Sequence, residues 1–219
     1  IAVNHGEESR YLPYTQPLCN IMKNLFLTLF SLLFSSIIFA CDCEYGGNFL
    51  KASASSETIV KARIIEHIYH TKNGKRFTDY EEYFAETMEN EFDDFYDTGE
   101  SIKIEVLELI RGTETRKTIE IFNTDGADCR AEISGFEKDK IYIISIYQPK
   151  RKYSKLPNET DSDYAIGACS ENWLEYLIDK NEVRGYITGK KRRIKKTYSY
   201  EKLVKKITLH NNVSYEKPF

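Results

Sequence analysis

Phe39-Ala40-Cys41-Asp42-Cys43 is the stretch on which the prediction of the fold depends. It ends a mostly apolar run at residues 25–39 and places two cysteines one residue apart. The run follows the short basic start Met22-Lys23-Asn24 and ends at the small residue Ala40, which is the pattern of a secretory signal peptide. We therefore expect translation to start at Met22 and the exported protein to begin at Cys41.

Two other interpretations of this leader stay open. The apolar run could be an N-terminal membrane anchor, but its 15 residues fall short of the roughly 20 that span a bilayer, so no membrane span is predicted. Ile38-Phe39-Ala40-Cys41 also resembles a bacterial lipoprotein cleavage box. Cys41 would then carry a lipid anchor, and one of the three remaining cysteines would be unpaired.

The composition indicates a soluble globular protein, with 41% hydrophobic and 30% charged residues among 219. A net charge of -3 favours neither nucleic acid nor a membrane surface as the partner. We expect three regions along the chain: upstream sequence and signal peptide at 1–40, one folded domain at 41–189, and a basic C-terminal extension at 190–219.

The four cysteines after the leader are even in number, which in an exported chain indicates two disulfides. A bond between Cys41 and Cys43 would close a very small, strained ring. We therefore expect both to pair forward, one with Cys129 and one with Cys169. A zinc site made of all four cysteines is the alternative, but the two-to-four-residue spacing that is usual between paired ligands is absent.

The rest of the chain predicts an all-β fold with an accessory helix. Ser170 can cap a helix whose apolar face contains Trp173, Leu174, Leu177 and Ile178. No alternation of strands and helices is apparent, and the strand count suits a five-stranded Greek-key barrel of the oligonucleotide/oligosaccharide-binding (OB) type. The segments with β-branched or alternating apolar patterns are 57–66, 101–110, 117–122, 141–147 (expected in the centre of the sheet) and 164–168.

Two charged segments each allow two interpretations. Residues 77–102 contain ten acidic residues and no Lys or Arg, interleaved with aromatic residues. This segment is either a solvated excursion between strands or a contact arm with an acidic, aromatic surface. The run at 190–196 is strongly basic and is either a solvated extension or a contact for anionic polymers or membrane surfaces.

No motif typical of an enzyme is present, so we do not expect catalysis or a bound cofactor. The chain lacks the nucleophile elbow, the H-E-x-x-H zinc motif, the P-loop and the dinucleotide-binding glycine pattern. His67 and His70 are three residues apart, which a strand would not turn toward one metal ion, and we expect both on the surface at the start of a loop.

An ordered set of short motifs is similar to the N-terminal, netrin-like domain of the tissue inhibitors of metalloproteinases. The resemblance covers residues 41–186 and is to a minimal form of the family, of the kind that occurs in bacteria. The motifs are Cys41-x-Cys43, Ile59-Val60-Lys61-Ala62-Arg63, the segment 104–112 ending in Arg111-Gly112, Ala127-Asp128-Cys129, and Gly167-Ala168-Cys169 followed by Trp173.

The resemblance implies a five-stranded barrel, and disulfides joining Cys41 with Cys129 and Cys43 with Cys169. It implies that the α-amino group and carbonyl oxygen of Cys41 bind the catalytic zinc of a target metalloprotease. A catalytic zinc keeps one position open for water, which these donors could displace. The implied inhibitory wedge consists of Cys41, Asp42, Cys43, Thr124, Asp125, Gly126, Ala127 and Asp128.

Three departures from the family affect the expected function. Asp42 stands where the animal inhibitors carry a small hydroxyl residue, whose side chain the resemblance places in the specificity pocket of the target protease. A carboxylate in an apolar pocket costs several kcal/mol unless it is paired, which argues against inhibition of the usual animal enzymes. The third disulfide and the cysteine-rich C-terminal domain have no counterpart. We expect a secreted metalloprotease inhibitor; the alternative is a non-inhibitory netrin-like binding module, or a lipoprotein of the cell envelope.

Overall fold

The computed structural model describes residues 44–90, 98–123, 130–149, 155–189 and 194–210, all of which belong to the compact unit Cys41–Phe219. Strands predominate, and helices are few. The elements in chain order are α1 (Phe49–Ala54), β1 (Thr58–Thr71), β2 (Arg76–Phe77), α2 (Tyr80–Glu89), β3 (Thr98–Arg111), β4 (Thr118–Asn123), β5 (Ile141–Ile146), β6 (Tyr164–Ala165), β7 (Trp173–Leu177), a 3-10 turn (Ile178–Lys180), β8 (Glu182–Gly185), β9 (Lys196–Ser199) and α3 (Tyr200–His210).

The described strands form one curled sheet in the order β6-β4-β3-β1-β5-β7-β8-β9, with β2 paired to β1. All pairs are antiparallel except β4 with β6, which is parallel. Tyr147, just after β5, exchanges two backbone hydrogen bonds with Ala165 of β6 (N to O, 3.1 and 2.9 Å). Backbone pairing therefore leads from β1 through β3, β4 and β6 to Tyr147, the residue after β5. Since β5 itself pairs with β1, the path returns to the strand where it began.

Both faces of the central strands are buried, because alternate side chains enter two different apolar clusters. Val60 and Ile144 belong to the larger cluster, inside the curl of the sheet, while Ile59 and Ile143 point to the opposite face. There the second cluster contains Phe49 and Leu50 from α1 together with Leu203 and Ile207 from α3. The imperfect alternation of β1 thus reflects burial on both sides.

The all-β prediction is confirmed at this level, and so are most of the expected strands. The segments 101–110 and 117–122 form the antiparallel hairpin of β3 and β4. The segment 141–147 gives β5, whose six residues are all buried and which lies between β1 and β7. β1 is longer than expected, since it runs on to Thr71.

The predicted helix beginning near Ser170 is wrong. Trp173–Leu177 is instead strand β7, which pairs with β5 and is followed by the 3-10 turn. Leu174 is fully buried opposite Ile143, whereas Trp173 is 38% exposed, as expected for neighbours on opposite faces of a strand. The apolar spacing alone fits a helix, but pairing here satisfies the backbone groups along one side of β5.

Residues 196–210, within the stretch expected to be a basic extension, contribute to the same sheet and core. β9 pairs with β8 from Glu182 to Gly185. In α3, Leu203 and Ile207 are buried among residues of α1 and β8. The amphipathic pattern of this segment therefore corresponds to a packed helix, although the lysines around it are mostly exposed.

Arg111, the last residue of β3, joins the two helices to the sheet. Its Nη1 donates to the carbonyl oxygens of Ser53 (2.5 Å) and Ser56 (3.2 Å), at the end of α1 and just beyond it. Its Nη2 donates to the carbonyl oxygen of Ile207 in the last turn of α3 (2.9 Å). The last four carbonyls of a helix have no partner within that helix, so one guanidinium caps both C-termini.

Replacement of Arg111 by Met should lower the free energy of unfolding by about 3 kcal/mol, because its charge-assisted hydrogen bonds to carbonyl oxygens of both helices are lost. Urea denaturation followed by circular dichroism measures this. Arg63→Met is the matched control, because Arg63 forms an exposed ion pair with Glu105 (3.0 Å). This replacement should lower the free energy of unfolding by less than about 1 kcal/mol. Equal losses in the two variants would contradict the capping role.

Candidate functional site

Most residues of the expected inhibitory wedge lie outside the described residues. These are Cys41, Asp42, Cys43 and the segment 124–129, which contains Thr124, Asp125, Gly126, Ala127, Asp128 and Cys129. Cys169 is described: it is disulfide-bonded, and its partner lies outside the described ranges. The pairings of Cys41 with Cys129 and of Cys43 with Cys169 therefore stay predictions.

The chain segment just after Cys43 lies directly against Cys169. The backbone N–H of Gly46 donates to the carbonyl oxygen of Cys169 (2.7 Å), and Gly47 forms a parallel bridge with Ser170. A Cβ atom on Gly46 would lie 2.2 Å from the Oγ of Ser170. Gly47 has a φ of 128°, a conformation that favours glycine. The two glycines thus permit the close approach of the two backbones.

The residues that follow the segment 124–129 lie against the same region. Arg130 pairs with Gly167 in an antiparallel bridge, and the N–H of Ala131 donates to the carbonyl oxygen of Ile166 (2.7 Å). β4 ends at Asn123, just before this segment, and runs parallel to β6. Both flanks of the expected wedge therefore meet the short stretch 166–170.

A buried ion pair fixes the side chain of Arg130. Its Nη1 lies 3.0 Å from Oε1 of Glu159 and its Nη2 donates to Oε2 (3.2 Å), while the two side chains are only 8% and 1% exposed. Oε2 also accepts from the backbone N–H of Leu156 (3.0 Å). The pair links the residue after Cys129 to the loop before β6, and no pattern in the sequence indicated it.

Two clefts lie elsewhere on the described surface. One, of about 450 Å³, has the partly exposed Trp173 in its wall, and the other, of about 540 Å³, lies beside Glu114 and Arg116. Hydrogen bonds from Arg116 lower the pKa of the Glu114 carboxyl to about 2 despite its burial. This second cleft therefore presents a carboxylate that is already paired with an arginine.

His70 is fully buried, so the prediction that it lies on the surface is wrong. The continuation of β1 to Thr71 brings it beneath Phe122, with 4.9 Å between ring centroids. Its Nε2 lies 2.8 Å from the Oγ of Ser101, and the side-chain nitrogen of Asn158 lies 3.2 Å from its Nδ1. The amide thus favours the tautomer in which Nε2 donates.

Ser101, His70 and Glu120 superficially resemble a hydrolase triad, but their geometry is structural. The hydroxyl of Ser101 donates to Oε1 of Glu120 (2.6 Å), so its proton is directed to the carboxylate and not to the imidazole. His70 and Ser101 are both fully buried, which gives a substrate no access. Arg76 donates to the other oxygen of Glu120 (2.7 Å) and completes the cluster.

The same cluster sets the charge of Glu120. Burial would raise the pKa of its carboxyl, but hydrogen bonds from His70, Ser101 and Arg76 outweigh burial and lower the pKa from 4.5 to about 2. A pKa that is lower in the folded state means that the carboxylate stabilises the fold fully above pH 4.5. That contribution disappears as the pH falls from 4.5 toward 2.

Within the described ranges, no group of three or more His, Cys, Asp or Glu side chains could bind a metal ion. His67 and His70 do not share a partner, since the Nε2 of His67 contacts the carbonyl oxygen of Phe136 (2.6 Å). Among these same residues, no helix is both long and apolar enough to cross a membrane.

Arg130→Met should lower the free energy of unfolding by about 3 to 5 kcal/mol, because it leaves the buried carboxylate of Glu159 unpaired. Adding Glu159→Gln removes that charge and keeps an oxygen for the N–H of Leu156, so the double variant should be more stable than the single one. Chemical denaturation of the wild-type protein, the two single variants and the double variant tests this. Simple additivity of the two changes would show that the ion pair is not coupled.

Glu120→Gln should flatten the dependence of stability on pH between 4.5 and 2. The wild-type protein should lose about 3 kcal/mol through this group over that interval, and the amide cannot titrate. Thermal unfolding at a series of pH values measures the slope. Glu137→Gln changes an exposed carboxylate and should keep the wild-type slope, so the same slope in all three proteins would refute the assignment.

The described part of the site is thus the stretch 166–170, which is contacted both by the residues that follow Cys43 and by the residues that follow Cys129. Comparison of the sequence with protein-family models and with curated proteins finds no match.

Proposed function

We propose that the protein is an exported metalloprotease inhibitor that blocks a target protease by capping its catalytic zinc with the α-amino group and carbonyl oxygen of Cys41. Asp42 and residues 124–128 would complete the contact surface. The donors belong to the backbone, so the inhibitor itself needs neither a cofactor nor a bound metal.

The observation that carries the proposal is the convergence at residues 166–170. Gly46 contacts Cys169, and Arg130 pairs with Gly167, two residues away. An inhibitory edge made from the mature N-terminus and the loop before Arg130 requires these separate segments to approach one another. The buried ion pair between Arg130 and Glu159 fixes the position of the chain just after the segment 124–129.

The order of the strands favours the finer fold proposal, a five-stranded Greek-key barrel of the OB type. The pairing circuit β1-β3-β4-β6-β5 uses five strands, and β6 enters between β4 and the end of β5. In this arrangement β7, β8 and β9 extend the barrel sheet on one side. The larger apolar cluster would fill the barrel.

The chemistry of the proposed contact is favourable near neutral pH. An α-amino group has a reference pKa of about 7.7–8.0, so it loses its proton at little cost and can then bind zinc. A disulfide at Cys41 and another at Cys43 would fix the position of this amine. Asp42 would select a protease whose specificity pocket offers a cation, since a buried carboxylate needs a partner.

A second candidate function is a netrin-like binding module without inhibitory activity, or a lipoprotein of the cell envelope. Asp42 favours it, because its carboxylate does not suit an apolar specificity pocket. The sequence Ile38-Phe39-Ala40-Cys41 favours the lipidated form, in which the amine of Cys41 is acylated and cannot bind zinc.

Addition of one alanine before Cys41 should reduce inhibition about a hundredfold or more. The extension turns the amine of Cys41 into an amide and moves the free amine by up to about 3.8 Å. The inhibition constants of the natural and extended proteins against a panel of extracellular zinc proteases measure the effect. The control carries one alanine after Phe219 and should inhibit as the unextended protein does.

Mass spectrometry of the intact exported protein gives the second measurement. A free Cys41 amine and two disulfides are expected. A diacylglycerol on Cys41, or another first residue, would contradict zinc capping. Equal inhibition by the natural and extended proteins would contradict it as well.

A further inference from the structure

Helix α2 is fixed to the hairpin of β1 and β2 through one of its faces. Tyr83 stacks on Tyr69, with 5.0 Å between ring centroids, and approaches Phe77 (6.2 Å). Glu86 accepts from Lys75 (2.6 Å) and from Asn73, both in the turn between the strands. Asp79 caps the helix by accepting from the N–H of Glu82. The helix is therefore held in place before any partner binds.

A neighbouring face of α2 exposes an apolar stripe, which begins at Tyr80, whose ring also contacts Tyr69 edge-on with 5.4 Å between centroids. Tyr80, Phe84 and Met88 are spaced four residues apart, so they lie along one side of the helix. Their exposed fractions are 52%, 47% and 66%, and the first two rings stack at 6.2 Å. Apolar anchors at this spacing are typical of a helix that docks on a partner.

The charge around this stripe restricts the partner. Glu81, Glu82 and Glu89 are exposed on the same helix, and residues 77–90 contain no lysine or arginine. Two copies of this surface would repel one another, whereas a surface rich in lysine would be attracted. Lysine also suits the aromatic stripe, because its ammonium group interacts with ring faces and its stem packs on apolar surface.

The chain carries such a complementary surface on α3. One side of this helix, away from the buried Leu203 and Ile207, carries Lys202, Lys205, Lys206 and Leu209. The Nζ of Lys202 already lies 4.3 Å from the ring centroid of Tyr198. Among the principal packing contacts in the described part of the chain, α2 packs on β1 and β2, whereas α3 packs on α1, β8 and β9.

We propose that the acidic aromatic stripe of α2 docks on the lysine stripe of α3 in a second copy of this chain. The contact joins two different surfaces, so each dimer leaves one stripe of each kind free and association is open-ended. A contact between two short helices buries less than about 1,200 Å², the range of weak, transient interfaces. Much of the attraction is between exposed charges, so it is sensitive to salt.

Sedimentation equilibrium of the purified protein at rising concentration is the first test. The weight-average mass should exceed that of one chain, rise with concentration without stopping at two chains, and return toward one chain in about 0.5 M salt, where the screening length is a few ångströms. A protein that stays monomeric at every concentration, or that associates equally in high salt, would overturn the proposal.

Complementation of two variants is the sharper test. Phe84→Ser with Met88→Ser removes the α2 stripe, and Lys202→Glu with Lys205→Glu reverses the α3 stripe. Each variant alone should be monomeric, because it lacks one of the two surfaces. An equimolar mixture should form a complex of two chains and stop there, since the intact α3 of the first variant docks on the intact α2 of the second.

The mixture also separates docking from misfolding, because a misfolded variant could not complement its partner. Matched controls alter exposed side chains elsewhere: Ile178→Ser for the apolar change and Lys117→Glu with Lys138→Glu for the charge change. Both should associate as the wild-type protein does. Association of either stripe variant alone, or a mixture that stays monomeric when the wild-type protein associates, would refute the assigned surfaces.

Discussion

The guanidinium of Arg111 is the interaction on which the arrangement of sheet and helices depends. It is placed at the end of β3, where Arg111 pairs with Ile59 at the start of β1, and from there it reaches carbonyl oxygens of both α1 and α3. The next residue, Gly112, has a φ of 108°, and a Cβ on it would lie 2.9 Å from the Oγ1 of Thr58. The arginine joins the helices, and the glycine lets the chain turn away in a space that admits no side chain.

The sequence predicted the strands well because their burial leaves a simple pattern. The run 141–147 is apolar enough for a strand buried on both faces, and the alternation after Ser101 matches a half-buried strand. The prediction of a helix after Ser170 is wrong for a physical reason. Trp173 and Leu174 fit the period of a helix as well as that of a strand, and backbone pairing with one edge of β5 favours the strand. Such long-range backbone pairing is not encoded in local spacing.

The candidate site was predictable only in part. The Gly46-Gly47 pair indicates a loop, but the contact of Gly46 with Cys169 depends on residues far apart in the chain. Arg130 and Glu159 carry no local signal either, since nothing in a sequence shows that two opposite charges 29 residues apart will be buried together. The polar neighbours of His70 favour a surface position, and only the length of β1 explains its burial.

The segment between β1 and β3 begins with β2, which folds back on the end of β1, and then carries α2. Its flanking residues Thr71 and Thr98 are direct partners in the ladder of β1 and β3. The two ends of the segment are therefore adjacent in the sheet. Lengthening such an excursion costs little loop entropy. An insertion or a grafted sequence between β2 and β3 would therefore present a different surface at this end of the molecule at a small entropic cost.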